Sequence, residues 1–216
     1  MSKILQWLLD LLYPRKCVLC TGLLEKDRVY LCDKCRKDTE KVRGKIHRGS
    51  FFTHCISVYY YEKDVSSAVK RLKFGGKAHY ALCFGALIAE RLAEEGTTCE
   101  AVTWVPVSAA RKRARGYDQA YLIAKAVAEC MGLPLLKSLK KIRHNPPQAR
   151  EKDSASRRAN VLNAYASVNP DAIRGKKLLL VDDVITSGAT LSECCRILKM
   201  AGAESLYCAT FAAARE

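Results

Sequence analysis

The stretch that most constrains the fold is Lys176-Lys-Leu-Leu-Leu-Val-Asp-Asp-Val-Ile-Thr-Ser-Gly-Ala-Thr190. Leu178 to Val181 is a short unbroken apolar run, which suits a strand covered on both faces of a parallel sheet. Asp182 and Asp183 stand at its C-terminal end, where open α/β sheets bind their ligands. Thr186, Ser187, Gly188, Ala189 and Thr190 then supply hydroxyls, small side chains and a glycine that lets backbone amides approach an oxyanion. Leu191, Cys194, Cys195, Leu198 and Met200 follow at helical spacing, closed by Ala201-Gly202, so the loop is expected to open onto a helix N-terminus. Free first-turn amides and the helix dipole both favour a phosphate there.

An acid pair ahead of a hydroxyl-rich phosphate loop resembles the binding signature of type I phosphoribosyltransferases. The resemblance implies that Asp182 and Asp183 hold the ribose hydroxyls of phosphoribosyl pyrophosphate (PRPP) and that residues 186–190 hold its 5-phosphate. An ordinary strand-turn-helix could use the acids to cap its turn, but two adjacent carboxylates at a strand end would be wasted on that. With 216 residues, 49% of them hydrophobic, the chain can bury one sizeable core and a small second module. The expected organisation is an N-terminal helix and zinc-ribbon module over 1–50. An α/β domain with a doubly wound, mostly parallel sheet of the type I phosphoribosyltransferase kind follows over 51–216.

The N-terminal module rests on Cys17-Val-Leu-Cys20 and Cys32-Asp-Lys-Cys35. Each C-x2-C knuckle places two thiolates on one metal, and two knuckles close a tetrahedral site with no open position. Structural Zn²⁺ is the expected metal, with iron in a rubredoxin-like site the alternative. Eleven cysteines without a secretory signal suit metal binding and buried thiols rather than a disulfide framework. Lys3 to Leu12 reads as an amphipathic helix packed on the body of the protein. Its apolar part is too short for the ~20 residues of a membrane span and has no cleavage site, so the chain reads as cytoplasmic, with no membrane insertion.

Charge is distributed unevenly. Residues 1–77 carry 17 Lys/Arg against 8 acids, and residues 111–158 carry 13 against 4, each span therefore +9 within a total of +15. A PRPP site needs only a few of these cations, which points to a second, larger polyanion, although a well-charged soluble surface would also look like this. Lys34, Arg36, Lys37 and Lys41, in and after the ribbon, form the candidate nucleic-acid face.

Elsewhere, 56–61 reads as a strand, 65–72 and 80–95 as helices, 101–107 as a strand, 117–132 as a helix, 163–168 as a strand and 205–212 as the last strand. Ser108 to Gly116 reads as a loop crowded with Arg111, Lys112, Arg113 and Arg115. Its strand should lie beside the Asp182-Asp183 strand, which would put the arginines where a pyrophosphate projects. The polar, basic span 137–160 reads as a linker or an active-site lid. Tyr59, Tyr60, Tyr61 and Phe74 have the rings to stack bases, though core packing explains most strand aromatics.

As an ordered set, the ribbon, Lys73-Phe74-Gly75-Gly76, Val105-Pro-Val-Ser108, Arg115-Gly-Tyr-Asp-Gln-Ala120, Pro147-Gln148, Arg158-Ala-Asn-Val161 and Val181 to Thr190 resemble the ComF competence family. The resemblance covers nearly the whole chain. It implies a cytoplasmic protein of natural transformation that handles incoming single-stranded DNA beside a helicase-like ComF partner. It also implies a phosphoribosyltransferase fold without an established nucleobase substrate. Read as a PRPP-dependent enzyme, the chain would hold pyrophosphate on the 108–115 loop, Ser108 included, with Mg²⁺ bridging pyrophosphate and ribose oxygens and Arg111 and Arg113 as the cations at the leaving group. Ser108, Tyr117-Asp118 and Asn145 depart from the usual family residues. A phosphoribosyltransferase of nucleotide metabolism or salvage, with no DNA role, is the alternative.

Overall fold

The computed structural model describes residues 14–47, 49–143 and 161–215. The helix expected over Lys3–Leu12, and the greater part of the span 137–160 with its Pro147-Gln148 and Arg158, lie outside the described residues. In chain order the elements are α1 (Asp33–Asp38), β1 (Cys55–Tyr60), α2 (Lys63–Phe74), α3 (Tyr80–Glu94), β2 (Ala101–Trp104), α4 (Ala109–Arg115), α5 (Gln119–Met131), β3 (Leu139–Lys141), β4 (Tyr165–Ser167), α6 (Pro170–Ile173), β5 (Lys177–Ile185), α7 (Ala189–Met200) and β6 (Ser205–Ala213). Among the described residues, no helix is long and apolar enough to cross a membrane.

The main sheet has the order β1-β6-β5-β2 and is parallel throughout. Its central strand β5 is the apolar run: Leu178, Leu179, Leu180 and Val181 are fully buried, worth roughly 1.5–3 kcal/mol for each such side chain. Because side chains alternate across a strand, Leu179 and Val181 join a core with α2, α3 and α5, while Leu178 and Leu180 join a second core with α7. The sheet is thus covered on both faces, as a continuous apolar strand requires. On the first face Phe211 stacks on Phe84, with centroids 3.5 Å apart, and meets Tyr59 edge-on. There Gly85 lets α3 approach α5: a Cβ on it would lie 2.4 Å from that of Ala126.

The strand expected over 163–168 stands, while the readings of the span 137–160 and of the loop 108–116 are corrected. The segment 163–168 does form a strand, β4, but it pairs antiparallel with β3 in a separate two-stranded sheet, Leu139 opposite Ser167 and Lys141 opposite Tyr165. The first part of the polar span 137–160 is therefore regular structure. Residues 109–115 are a helix rather than an open loop. The Ser108 side chain accepts from the Arg111 amide as its N-cap, Gly116 ends it at φ 84°, and alanines and arginines between them are strong helix formers.

The ribbon shares the core of the sheet domain. Cys17, Val18, Leu19, Leu31 and Cys35 pack in the same cluster as Val65, Val69, Leu72 and Cys83. Beyond the ribbon the chain runs antiparallel along the outer edge of β1, with bridges Lys41 to Tyr59 and Ile46 to Cys55. At the opposite edge, β2 is flanked by Leu135, bridged to Val102.

Candidate functional site

Strand β5 continues through Asp182 and Asp183 to Ile185, so the acids lie within the strand, near its C-terminal end, rather than in the loop. Alternation sends their carboxylates to different surroundings. Asp182 is half-buried and borders a cleft of about 180 Å³ lined by Thr186, Ser187, Gly188, Ala189 and Thr190. Asp183, only 3% exposed, turns toward α2 and α5. There its Oδ2 lies 2.9 Å from Lys73 Nζ and accepts from Gln119 Nε2 at 3.1 Å.

The electrostatics follow from this placement. Burial, and then the neighbouring Asp183 carboxylate, push the Asp182 carboxyl up to about 8, against the pull of Lys73 and the Asp183 amide. Burial works against the Lys73 ammonium, but Asp183 and then Asp182 outweigh it and hold that group above its ordinary range. The acid pair therefore already has one internal cation.

The loop after β5 has the features expected of an anion site. Gly188 sits at φ 73°, a left-handed conformation that favours glycine. Among the described residues no side chain caps α7, an arrangement in which first-turn amides can serve a bound anion. Ser192 Oγ donates to the Gly188 carbonyl at 2.9 Å and fixes the turn.

A larger cleft of about 730 Å³ opens on the Asp183 side, lined by Lys73, Phe74, Val107, Arg111, Arg115 and Gln119. Arg111 and Arg115 reach it from the inner side of α4, whereas Arg113 is exposed. Ser108 is buried and its hydroxyl is engaged in the helix cap. Arg115 donates to Gln119 Oε1 and lies 5.3 Å from the centre of the Phe74 ring. Asp118 ties α5 to the end of the β2 connection, accepting from the amides of Tyr121 (3.1 Å) and Val107 (3.2 Å). Of the four aromatics singled out in the sequence, Tyr59 is buried in the core and Phe74 is 78% exposed at the rim of this cleft.

Lys73 and Gln119 are the members of the site that the candidate residues did not include, and Arg115, expected near a pyrophosphate, joins them through Gln119. Each lies within a motif of the ordered set, but no local spacing says that they converge on Asp183. That convergence is made by the packing of α2, α4 and α5.

In the ribbon, the four sulfurs of Cys17, Cys20, Cys32 and Cys35 lie within 4.8 Å of one another. Cys20 and Cys32 Sγ are 3.7 Å apart, close to the ~3.8 Å edge of a tetrahedron with zinc–sulfur bonds near 2.3 Å. The Cys35 amide donates to Cys32 Sγ at 3.4 Å. Burial opposes a thiolate at Cys17, but backbone contacts from Cys32, Cys20 and Leu19 outweigh it and lower its pKa. The donor set fits a closed structural zinc site.

Lys34, Arg36, Lys37 and Lys41 are all exposed. Arg36, Lys37 and Lys41, with Arg43 and Arg91, border a surface cleft of about 570 Å³ that also contains Asp38, Glu40 and Glu94. Lys34 instead lines a neighbouring cavity with Asp38, Glu40, Glu62 and Asp64.

Residues 118–216 match the phosphoribosyl transferase domain family, and residues 8–46 match the double zinc ribbon domain family. Competence protein F of Haemophilus influenzae is 26% identical over 88% of this chain and 93% of its own length. The DNA utilization protein YhgH of Salmonella typhimurium is 24% identical, over 88% of this chain and 86% of that protein. Competence protein ComFC of Streptococcus pneumoniae is likewise 24% identical, over 87% of this chain and 77% of that protein. The architecture is a type I phosphoribosyltransferase fold, with its mostly parallel sheet, behind an N-terminal zinc ribbon carrying four close cysteines.

Proposed function

This chain is a member of the ComF family, and on that premise we propose that it acts in DNA uptake, binding PRPP at the acid pair and single-stranded DNA at the ribbon face. The names competence protein and DNA utilization protein among its relatives support the first part. The observation that carries the second is the placement of Asp182 and Asp183 near the end of β5, five residues ahead of the α7 N-terminus, which has no side-chain cap among the described residues. In this reading the acids accept from the ribose hydroxyls. Thr186, Ser187 and Thr190, with the amides of Gly188 and Ala189, take the 5-phosphate. The pyrophosphate lies toward Ser108 and α4, where Arg111 on the cleft side is better placed than exposed Arg113. Mg²⁺ arriving with the ligand would neutralise the pyrophosphate and draw charge to the leaving group.

The DNA part rests on the basic character of the N-terminal span and on the exposed Arg36, Lys37 and Lys41 around one cleft, with Lys34 beside it. The protein works in the cytoplasm in this reading, next to a helicase-like ComF partner.

Calorimetric titration with PRPP and Mg²⁺ tests the assignment. The wild-type chain binds in a Mg²⁺-dependent manner and the Asp182→Asn/Asp183→Asn variant does not; unchanged affinity in that variant removes the assignment. Salt-dependent binding to an oligonucleotide tests the DNA part, since phosphate contacts release counterions. If no oligonucleotide binds while PRPP does, the salvage-enzyme alternative replaces it.

A further inference from the structure

Helix α2 touches both special regions of the molecule within one turn. Arg71 donates to the carbonyls of Val18 at 2.9 Å and Leu19 at 2.5 Å. These are the two residues enclosed by the Cys17–Cys20 knuckle. Two positions on, Lys73 holds Asp183 at 2.9 Å. Leu72 between them is fully buried, and its carbonyl accepts from the Tyr117 hydroxyl. Past Phe74 the helix ends at Gly75 and Gly76, the latter at φ 65°.

We propose that α2 is a rigid link between the zinc knuckle and the acid pair, in which Arg71 and Lys73 are positioning residues: the knuckle carbonyls hold Arg71, and that hold places Lys73 against Asp183. The inference rests on the reading of the acid pair as the PRPP site. Its physical basis is the Nη2 amino group of Arg71, whose two N–H bonds meet two successive carbonyls only while the knuckle turn is intact. That turn is closed by Cys17 N donating to the Gly22 carbonyl and Thr21 N to that of Cys17, in a module of roughly thirty residues that depends on metal for its fold. Residues 71 and 73 are about 3 Å apart along the helix axis, so a shift at one is passed on to the other. A displaced Lys73 leaves two adjacent carboxylates facing an anionic ligand without their cation, while Gln119 keeps its hydrogen bond to Asp183. The titratable and charged groups around Lys73 are Asp183 and Asp182 on β5, with Tyr61 before α2 and Arg111 and Arg115 on α4 across the cleft.

The test uses the zinc-loaded full chain and its Arg71→Ala, Arg71→Lys, Lys73→Ala and Arg71→Ala/Lys73→Ala variants. The Lys73 ammonium titration, followed by ¹³Cε NMR, reads the contact with Asp183 directly, and calorimetry reads PRPP affinity in Mg²⁺. The link predicts that Arg71→Ala keeps its zinc and lowers the Lys73 pKa. It predicts too that Arg71→Ala weakens PRPP about tenfold, the scale of one charge-assisted contact. Arg71→Lys should regain part of the loss, and the double variant should be no weaker than Lys73→Ala alone, as coupled residues require. An unmoved Lys73 titration in Arg71→Ala, or PRPP losses that add in full, overturns the link. If the wild-type chain binds no PRPP, the reading of the site fails while the Lys73 titration still decides the link. Should Arg71→Ala not fold, zinc is chelated from the wild-type chain and the same titration is followed: a lowered Lys73 pKa supports the link, and an unmoved one overturns it.

Discussion

The ribbon and the end of β5 both gather like-charged groups, and they resolve the repulsion in opposite ways. In the ribbon, four sulfurs surround a volume that one zinc ion fills, after which no coordination position is left. At the end of β5, two carboxylates share one lysine and one glutamine on the Asp183 side, while Asp182 faces a cleft. The first site is finished when the protein folds. The second carries an electrostatic cost that a ligand can relieve, which is how binding sites commonly differ from structural ones.

The contrast is broken most directly at the metal. Cys35→Ser should abolish stoichiometric zinc and unfold the ribbon, because structural zinc in finger peptides contributes on the order of 10 kcal/mol; metal analysis and circular dichroism check this. A variant that retains both metal and fold would mean that the ribbon is held by its apolar contacts with α2 and α3. Next, Asp182→Asn/Asp183→Asn should reduce PRPP affinity at least a hundredfold, about 2.7 kcal/mol, without lowering the thermal midpoint.

A sharper contrast comes from pH. The folded Asp182 carboxyl titrates near 8, against an ordinary 3.8. The folded state therefore holds this proton more tightly than the unfolded chain, and its contribution to stability is lost as pH rises toward 8. Asp182→Asn should thus be more stable than wild type without ligand, by a margin that grows from pH 6 to about 8 and then levels off. Thermal midpoints of the two proteins across that range measure it; a constant margin would contradict the cost assigned to Asp182. The smallest effect concerns the basic face. Reversing the charge of Lys41 or Lys37 should lower the salt slope of single-strand binding by about 0.7 for each phosphate no longer neutralised. Lys34→Glu should do less, since its cavity is already acidic.

What could be read from the chain alone follows the same division. The zinc ligands sit in two compact knuckles, so their spacing in the sequence nearly is their geometry. Leu178 to Val181 and the loop to Thr190 are also local, and the strand, the turn at Gly188 and the helix stand as expected. The partners of Asp183 were not legible, because Lys73 and Gln119 lie 110 and 64 residues away along the chain and are assembled by core packing alone. The helix over 109–115 was hidden for another reason: its arginines looked like a surface loop, and only the Ser108 cap and the Gly116 stop reveal the turn. β4 reads as a strand by composition, but composition does not say which sheet it joins.

The chain that runs along β1, through Lys41 and Ile46, has a consequence for assembly. An open sheet offers its outermost strands as templates on which a second chain can extend the hydrogen-bonded array. Here the ribbon's trailing segment occupies one margin and Leu135 flanks the other, so growth of the array by strand addition is discouraged on both sides. Among the described residues, a partner protein or a second copy is then directed away from the margins of the main sheet, toward helices, loops, the ribbon or the β3–β4 pair. Loss of the metal, by loosening the segment behind the ribbon, would bare the β1 margin and turn a folding defect into a tendency to aggregate.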